Sequence, residues 1–434
     1  MLLHYKNLPV IKNMRYYCLG KYIIYFTIAI VLLFAFITVG DLFKSNIKIV
    51  NSKMRIFPIK KHFDIDVRTY GIDDNFYEDR KNEQQKIKYI LLWTSPRNVP
   101  FVYMGRGQQE FIKKSCKYYN CYVTSNPHYL GDITKFDVVA FAGPEVVYMG
   151  PEKLPQKRSP HQKYAFASIE SSHYYPLCDK IFDGYFNWTW TFKLDSDSRW
   201  GYIIIRNEEG DIIGPNKVMH WIKTEDMKPV SKGLLSVLKG KSKVAAIFVS
   251  NCETLSSREI FVSALQNELD KYDLKIDVYG KCGKLKCDRT DEEMCDRIIE
   301  KHYFFYLAFE NSFSEDYVTE KILHGLRYSA IPIVYGGANY TRFMPDGSYL
   351  DARKLGVQKL AEKMNHLMHN IEEYSTYFKW QNHYSYHKKG DTVETDDYCA
   401  ICALLNDEKK VNETSVYQNL RQWWNPAEYL CPAG

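Results

Sequence analysis

The sequence lacks a strong excess of either charge. Its 434 residues carry a formal net charge of +6, and the basic side chains are not gathered into blocks, which argues against nucleic acid as the principal partner. The Gly-x-Gly-x-x-Gly and Gly-x-x-x-x-Gly-Lys patterns are also absent, so the usual dinucleotide and P-loop phosphate sites are excluded. Hydrophobic residues make up 45% of the chain, which is enough for a large core and excludes a disordered protein.

Charged residues are missing from one long stretch, YIIYFTIAIVLLFAFITVG, at residues 22–40. A helix of that length spans roughly 28 Å, the thickness of the hydrocarbon layer of a bilayer. We predict a transmembrane signal anchor here; the alternative is a cleaved signal peptide, whose apolar region is usually about 7 to 15 residues long. Residues 1–21 would then be a cytosolic tail, and residues 41–85, which are charged and lack periodicity, would be a stem.

Ten of the eleven cysteines follow that stretch, and an even number favours full pairing in an oxidising compartment. Asn-x-Ser/Thr triplets, the acceptors of N-linked glycans, also occur after it, at Asn187, Asn339 and Asn412. Both observations predict that most of the chain lies in the secretory lumen.

Short β-rich runs alternate with loops and helical patterns over the rest of the chain. The predicted strands lie in residues 86–95, 135–143, 163–170, 201–207, 243–251, 275–280, 304–311 and 331–337. In the second half, strand, helix and strand follow one another, which implies parallel pairing and a doubly wound α/β domain. A further helix is predicted over residues 357–379, with Leu360, Met364 and Leu367 on one face.

Two predicted helices begin directly after buried strands. Ser256 and Glu259 form a capping box for the first helix, and Thr319 can cap the second. Their first turns carry Arg258 and Lys321, where a cation is unfavourable for the helix dipole. The two cations are explained if a pyrophosphate lies between them; the alternative is that both are solvated and paired with neighbouring acids.

The stretch FYLAFENSFSEDYVTEK, at residues 305–321, resembles the signature of the α1,3-fucosyltransferases. That family has Phe-Tyr-x-x-Phe-Glu-Asn, followed at fixed spacing by Tyr-Val/Ile-Thr-Glu-Lys. The resemblance continues in VSNCETLSSREIFVSAL, KIDVYGKCG, FDGYFNWTWTFKLDSDS and IPIVYGGANYTRFMPDGSYLDA, and so covers most of the chain from about residue 86. It implies a glycosyltransferase with GDP-fucose as donor, held in the Golgi membrane as a single-pass type II protein with a luminal catalytic domain.

The resemblance also implies the GT-B fold, an α/β architecture in which two Rossmann-like domains face a cleft. The acceptor-side domain would occupy residues 86–225 and the donor domain residues 226–390. A disulfide-linked tail, residues 391–434, would follow.

The family's contacts with GDP-fucose map onto five residues of this sequence: Arg258, Asn311, Tyr317, Glu320 and Lys321. Glu310 is interpreted as a residue that orients its loop. Glu315 and Asp316, which lie between the two halves of the signature, are interpreted as solvated.

The family inverts the anomeric centre of fucose, so the reaction needs one general base for the acceptor hydroxyl and no covalent nucleophile. The resemblance implies that this base is Glu170, in ASIESSHYYP. Many relatives have proline after Glu-Ser, where this chain has Ser172. The alternative is that Glu170 is a structural or surface carboxylate.

In the family, a C-terminal Cys-x-x-Cys pairs with two cysteines of the N-terminal domain. The resemblance therefore implies that Cys399 and Cys402 pair with Cys116 and Cys121. Such bonds would hold the tail against the N-terminal domain and limit opening of the cleft.

Two groups of residues have the spacing of metal ligands. Asp195 and Asp197 match the Asp-x-Asp motif of metal-dependent GT-A transferases, but the resemblance implies a structural or cleft-lining role. Cys282, Cys287 and Cys295 could bind zinc, but disulfides are favoured in the lumen. We therefore expect no obligatory metal, although a divalent cation could stimulate the enzyme.

The acceptor is inferred from resemblance alone. GGANY, at residues 336–340, and the cysteine-rich segment after KIDVYG are more similar to invertebrate and plant core fucosyltransferases, which modify O3 of the innermost GlcNAc of N-glycans, than to vertebrate Lewis enzymes. The alternative acceptor is N-acetyllactosamine, as in the Lewis enzymes. A membrane-tethered glycan-binding protein without activity is the alternative from another functional class.

Overall fold

The computed structural model describes residues 86–287, 292–425 and 431. The predicted cytosolic tail, transmembrane anchor and stem, residues 1–85, lie outside the described residues. Within the described part of the chain, no helix has both the length and the hydropathy needed to cross a membrane.

The first sheet has six parallel strands in the order β2-β1-β3-β4-β5-β6. Its strands are β1 (Lys88–Leu92), β2 (Cys121–Thr124), β3 (Val138–Ala142), β4 (Lys163–Ser168), β5 (Trp188–Thr191) and β6 (Ser198–Arg199). Strands β3, β4 and β5 are buried along their whole length, as expected for parallel strands that are covered on both faces.

A small antiparallel sheet with the order β14-β7-β8 follows. It comprises β7 (Ile203–Arg206), β8 (Ile212–Gly214) and, from far along the chain, β14 (Ser385–Lys388). The run GYIIIRN therefore forms a strand, as predicted, but outside the parallel sheets.

The third sheet has five parallel strands in the order β10-β9-β11-β12-β13. Its strands are β9 (Lys243–Phe248), β10 (Ile276–Tyr279), β11 (Tyr303–Phe309), β12 (Ile331–Tyr335) and β13 (Leu350–Asp351). The central strand β11 places Tyr306 and Ala308 in one core cluster and Phe305 and Leu307 in another, so each face of the sheet has its own core. The predicted α/β class with two Rossmann-like parallel sheets is confirmed.

Helices pack on these sheets and connect their strands. They are α1 (Gln109–Lys113), α2 (Gly143–Val146), α3 (Lys232–Lys239), α4 (Arg258–Leu269), α5 (Glu292–His302), α6 (Lys321–Leu326), α7 (Ala352–His369), α8 (Ile371–Thr376), α9 (Asp397–Asn406), α10 (Glu408–Asn412) and α11 (Leu420–Trp424).

The prediction of one helix over residues 357–379 is wrong in its bounds. Helix α7 begins earlier, bends at Gly356, where φ is 72°, and ends before Asn370, whose side chain caps the separate helix α8. The predicted apolar face is buried, because Leu360, Met364 and Leu367 all lie in the core beside the third sheet.

The chain returns to the first sheet after β14. Helix α9 packs in the same core cluster as β1 to β5, and disulfides join Cys116 to Cys399 and Cys121 to Cys402. The other bonds are Cys178–Cys431, Cys252–Cys282 and Cys287–Cys295. The cysteines considered as zinc ligands are thus in disulfides.

Candidate active site

A cavity of about 520 Å³ lies at the carboxyl ends of β9, β10 and β11, the edge where open parallel sheets bind ligands. Four of the five predicted donor contacts line it: Arg258, Asn311, Glu320 and Lys321. A second cavity, of about 390 Å³, shares Arg258 but runs along α4 and β10, and no other predicted donor contact lines it. The larger cavity is therefore the candidate donor site.

The predicted capping box before α4 is wrong. Ser257 has a left-handed backbone conformation, with φ of 51°, and no side chain caps the helix. The Ser256 hydroxyl instead donates to the carbonyl oxygen of Glu310 at 2.7 Å, and Glu259 accepts from the Thr254 hydroxyl at 2.8 Å. The segment before α4 is thereby fastened to the end of β11.

Arg258 begins α4 and is buried. Its Nη1 donates to the carbonyl oxygen of Phe309 at 2.7 Å and its Nη2 to that of Asn251 at 3.2 Å, so the guanidinium joins the ends of β11 and β9. Its Nε has no hydrogen-bond partner among the described residues. Burial lowers the pKa of Arg258, against the opposing effect of the Glu310 carboxylate. Arg258 thus places positive charge in the cavity wall, but both Nη groups already bind carbonyls.

Glu310 organises the loop that follows β11. Its Oε1 accepts from the backbone N–H of Thr319 at 2.8 Å and from the Thr319 hydroxyl at 2.9 Å. Thr319 therefore does not cap α6, and the prediction that it does is wrong. Glu310 Oε2 lies 3.1 Å from Nζ of Lys321. The orienting role inferred for Glu310 is confirmed, and it extends to the lysine.

Lys321 keeps its charge in this setting. Burial lowers the pKa of its ammonium group, but the carboxylates of Glu310 and Glu320 outweigh that effect, and the pKa lies above its ordinary value. Nζ lies 3.9 Å from Glu320 Oε1. The side chain lines the donor cavity, and Nζ also donates to the Thr319 hydroxyl oxygen at 2.7 Å.

Tyr317 is not among the residues that line this cavity. It is 3% exposed and packs against Phe192, with ring centroids 4.9 Å apart, and against Tyr202 at 6.1 Å. Burial raises its pKa, and the nearby carboxylates, Glu170 foremost, raise it further. The ring thus anchors the loop after β11 in the core of the first sheet, and its predicted contact with the donor stays a prediction.

Glu170 follows β4 and is half-buried. Burial raises the pKa of its carboxyl group; Lys321 lowers it, and Glu320 and Glu310 raise it further. These interactions place the Glu170 carboxylate within electrostatic reach of the charged groups at the donor cavity. A raised carboxyl pKa strengthens a general base.

The loop after β4 is bonded directly to the loop after β11. The hydroxyl oxygens of Ser171 and Ser312 lie 2.6 Å apart, and those of Ser172 and Ser314 are also 2.6 Å apart. All four serines are buried. The hydroxyl of Ser172 thus helps to hold the two loops together.

The expectation that Asp316 is solvated is wrong. Its side chain is fully buried, and its carboxylate lies 2.7 Å from Lys217 Nζ and 2.7 Å from Arg342 Nη1. It also accepts from the backbone N–H of Leu194 at 3.2 Å. Glu315 is 49% exposed but pairs with the same two cations. The acids inside the signature thus hold the loop after β11 against the rest of the protein.

The Asp-x-Asp motif has structural contacts. Asp197 Oδ2 accepts from the backbone N–H of Thr189 and from the Tyr417 hydroxyl, each at 2.9 Å. Asp195 lies 3.6 Å from Lys217 Nζ. Across residues 86–287, 292–425 and 431, no three His, Cys, Asp or Glu side chains are grouped as metal ligands would be.

The three predicted glycosylation sites differ in their surroundings. Asn187 Nδ2 donates to the carbonyl oxygen of Ser415 at 2.8 Å, and its Oδ1 accepts from the N–H of Tyr164. A glycan attached at Asn187 Nδ2 would break the hydrogen bond to Ser415. Asn339 and Asn412 are exposed.

The described residues form an α/β protein with two parallel sheets, an acid after one sheet and a cation-lined cavity at the other. The N-terminal fucosyltransferase model matches residues 85–203, and the model "Glycosyltransferase family 10 (fucosyltransferase) C-term" matches residues 238–423. α-(1,3)-Fucosyltransferase C of Drosophila melanogaster is 33% identical, over 81% of this chain and 81% of that protein. The chain belongs to glycosyltransferase family 10, the α1,3-fucosyltransferases.

Two other relatives differ in the acceptor that their names specify. Glycoprotein 3-α-L-fucosyltransferase A of Drosophila melanogaster is 30% identical, over 80% of this chain and 62% of that protein. Human 4-galactosyl-N-acetylglucosaminide 3-α-L-fucosyltransferase FUT6 is also 30% identical, over 81% and 87%. A crystal structure of an α1,3-fucosyltransferase with GDP aligns at a TM-score of 0.46 and 14% identity, over 78% of this chain and 94% of that one.

Proposed function

We propose that this chain transfers L-fucose from GDP-fucose, with inversion, to O3 of the innermost GlcNAc of N-glycans. The observation that carries the proposal is that the loop of Glu170, after the first sheet, is bonded through Ser171 to Ser312, which follows Asn311 at the cavity of the third sheet. An inverting displacement needs a base on one side of the reacting carbon and positive charge at the leaving group on the other. Family membership supplies fucose as the transferred sugar.

Each residue then has one task. Glu170 takes the proton from the acceptor hydroxyl as that oxygen attacks C1 of fucose. Lys321, held charged by Glu310, stabilises the departing diphosphate, and the buried charge of Arg258 adds to the positive potential there. Because these cations supply the charge that a metal would otherwise provide, the proposal includes no obligatory metal.

The core acceptor is supported by similarity to a glycoprotein 3-α-L-fucosyltransferase. The second candidate, transfer to the GlcNAc of N-acetyllactosamine, is supported by the equal identity to FUT6. The GT-B arrangement is supported by the two parallel sheets whose loops meet at Ser171 and Ser312.

The cellular setting belongs to the same proposal. We place the chain in the Golgi membrane as a single-pass type II protein, anchored by residues 22–40 with the catalytic part in the lumen. Pairing of ten cysteines in five disulfides supports an oxidising compartment.

The test is to incubate the full-length protein, purified in detergent, with GDP-fucose, a trimmed N-glycopeptide and N-acetyllactosamine. Mass spectrometry and NMR then locate the new fucose. Fucose on O3 of the Asn-linked GlcNAc is the expected result, and fucose on lactosamine would support the second candidate. Tight glycan binding without release of GDP would instead show a glycan-binding protein.

A further inference from the structure

The donor cavity is lined by two chemically different groups of side chains. One group is charged or polar and includes Arg258 and Lys321. The other consists of the rings of Phe248, Tyr279 and Tyr306. The Phe248 ring centroid lies 5.2 Å from that of Tyr279 and 5.6 Å from that of Tyr306, and both pairs meet edge to face, at interplanar angles of 79° and 76°. We call the part of the cavity that these three rings line the aromatic end.

His324 is an ionisable side chain within the aromatic end. Its ring centroid lies 5.5 Å from that of Phe248 and 5.1 Å from that of Tyr306. It lies one helical turn after Lys321 on α6, so both side chains face the same cavity. A diphosphate held near Lys321 would therefore leave the rest of the nucleotide within reach of His324.

A buried carboxylate fixes the orientation of this histidine. His324 Nδ1 lies 2.5 Å from Oδ1 of Asp296 on α5, and the two side chains are 14% and 9% exposed. When the Asp296 oxygen accepts this hydrogen bond, Nδ1 carries the hydrogen and Nε2 is left as a possible acceptor. Nε2 has no hydrogen-bond partner among the described residues.

We propose that the aromatic end binds the guanine base and that His324 selects it. This inference rests on the proposed function, which supplies a guanosine diphosphate as the ligand. A heterocyclic base packs favourably against aromatic side chains, whereas the diphosphate is attracted by the cations. Guanine presents the N1–H and N2–H donors on one edge, and Nε2 accepts from that edge. Adenine has a lone pair at N1, which would face the lone pair of Nε2.

The test measures binding of GDP and ADP to the full-length protein by calorimetry. The wild type is expected to prefer GDP. His324→Phe keeps a ring but removes the acceptor, so it is expected to weaken GDP binding about tenfold and to leave ADP binding nearly unchanged. Asp296→Ala removes the acceptor that fixes the hydrogen on Nδ1, so it should reduce the same preference.

The control is His366→Phe, because His366 also pairs with a carboxylate, Glu373 at 2.7 Å, but is 54% exposed on α7. It should bind both nucleotides as the wild type does. Equal weakening of GDP and ADP by His324→Phe, with an unchanged melting temperature, would overturn the assignment to the base. So would an unchanged preference for GDP. A wild type that transfers no fucose would contradict the proposed function itself.

Discussion

The hydroxyl oxygen of Ser171 lies 2.6 Å from that of Ser312. Ser171 directly follows the candidate base, Glu170, and Ser312 directly follows Asn311, which lines the donor cavity. This contact joins the loop of the candidate base to the loop that contributes Asn311 to the candidate donor cavity. The position of Glu170 relative to the cavity therefore depends on how the two loops meet.

Replacing Glu170 by Gln tests the base. The amide cannot take a proton, so we expect turnover to fall by about 10²- to 10⁴-fold. Binding of GDP-fucose should persist, because the cations of the donor cavity are untouched. Calorimetry measures the binding and GDP release measures the turnover. Glu209→Gln, at an exposed position, is the control. Wild-type turnover in Glu170→Gln would remove this residue from the mechanism.

The pH dependence of the reaction follows from the raised pKa of Glu170. The base must be ionised, so kcat/KM falls as pH falls through the pKa in the folded protein. Because burial raises that pKa, the acid limb should lie at higher pH than an ordinary carboxyl group would give. Lys321 lowers the same pKa, so Lys321→Met should move the limb to still higher pH. If Lys321→Met leaves the acid limb of the pH–rate profile at the same pH, then Lys321 and Glu170 do not interact.

The raised pKa also has a cost in stability. Ionised Glu170 is less favourable in the folded state than in the unfolded chain, so at neutral pH Glu170→Gln should raise the free energy of unfolding. The gain should disappear as the pH falls below the ordinary glutamate value, where the carboxyl is protonated in both states. Denaturant titrations at pH 7 and pH 4 measure the two gains. Equal gains would contradict this account.

Local pattern predicted the elements on which the site is built. Buried β-rich runs located β9, β11 and β12, and the two strand-to-helix junctions located Arg258 and Lys321 at one cavity. The capping prediction for Thr319 failed because Thr319 donates to the buried carboxylate of Glu310, and such a charge-assisted bond is stronger than one between neutral groups. The prediction for Ser256 failed because its hydroxyl donates to the carbonyl oxygen of Glu310, which is distant in the sequence.

The contacts that the sequence could not predict join distant segments. Asp316 is separated by about a hundred residues from Lys217, so no local pattern distinguishes it from a solvated loop acid. The sequence also does not predict the pairing of His324 with Asp296, because that contact depends on how helices α5 and α6 pack beside β11. Short strands such as β2 and β5 were missed because four residues carry little periodicity.

Lys321→Met tests the stabilisation of the leaving group. It removes a cation held at the cavity by Glu310, so we expect kcat/KM for GDP-fucose to fall by about 10²- to 10³-fold. Steady-state kinetics with varied donor measures the effect. Lys354→Met is the control, because Lys354 is 75% exposed on α7. A change of less than twofold would show that the lysine serves only to neutralise Glu310.

Asp316→Asn tests the ion pairs within the signature. The substitution leaves Lys217 and Arg342 without their buried partner, and we expect a loss of roughly 3 kcal/mol in the free energy of unfolding. Glu315→Gln, at a half-exposed position in the same cluster, should cost less than about 1 kcal/mol. Urea denaturation separates the two. Similar losses would mean that the burial of Asp316 contributes nothing to the strength of its ion pairs.

The two disulfides between α9 and the first sheet are expected to be mutually dependent. Cys116–Cys399 and Cys121–Cys402 close loops with sequence separations of 283 and 281 residues. While either remains, the other closes only a short additional ring, so replacing one pair by alanine should cost roughly 2 to 3 kcal/mol. Replacing both pairs releases the long loop, which alone contributes roughly 5 kcal/mol, and should therefore cost more than the sum of the separate losses. Urea denaturation of the three variants measures this excess, and strictly additive losses would contradict it.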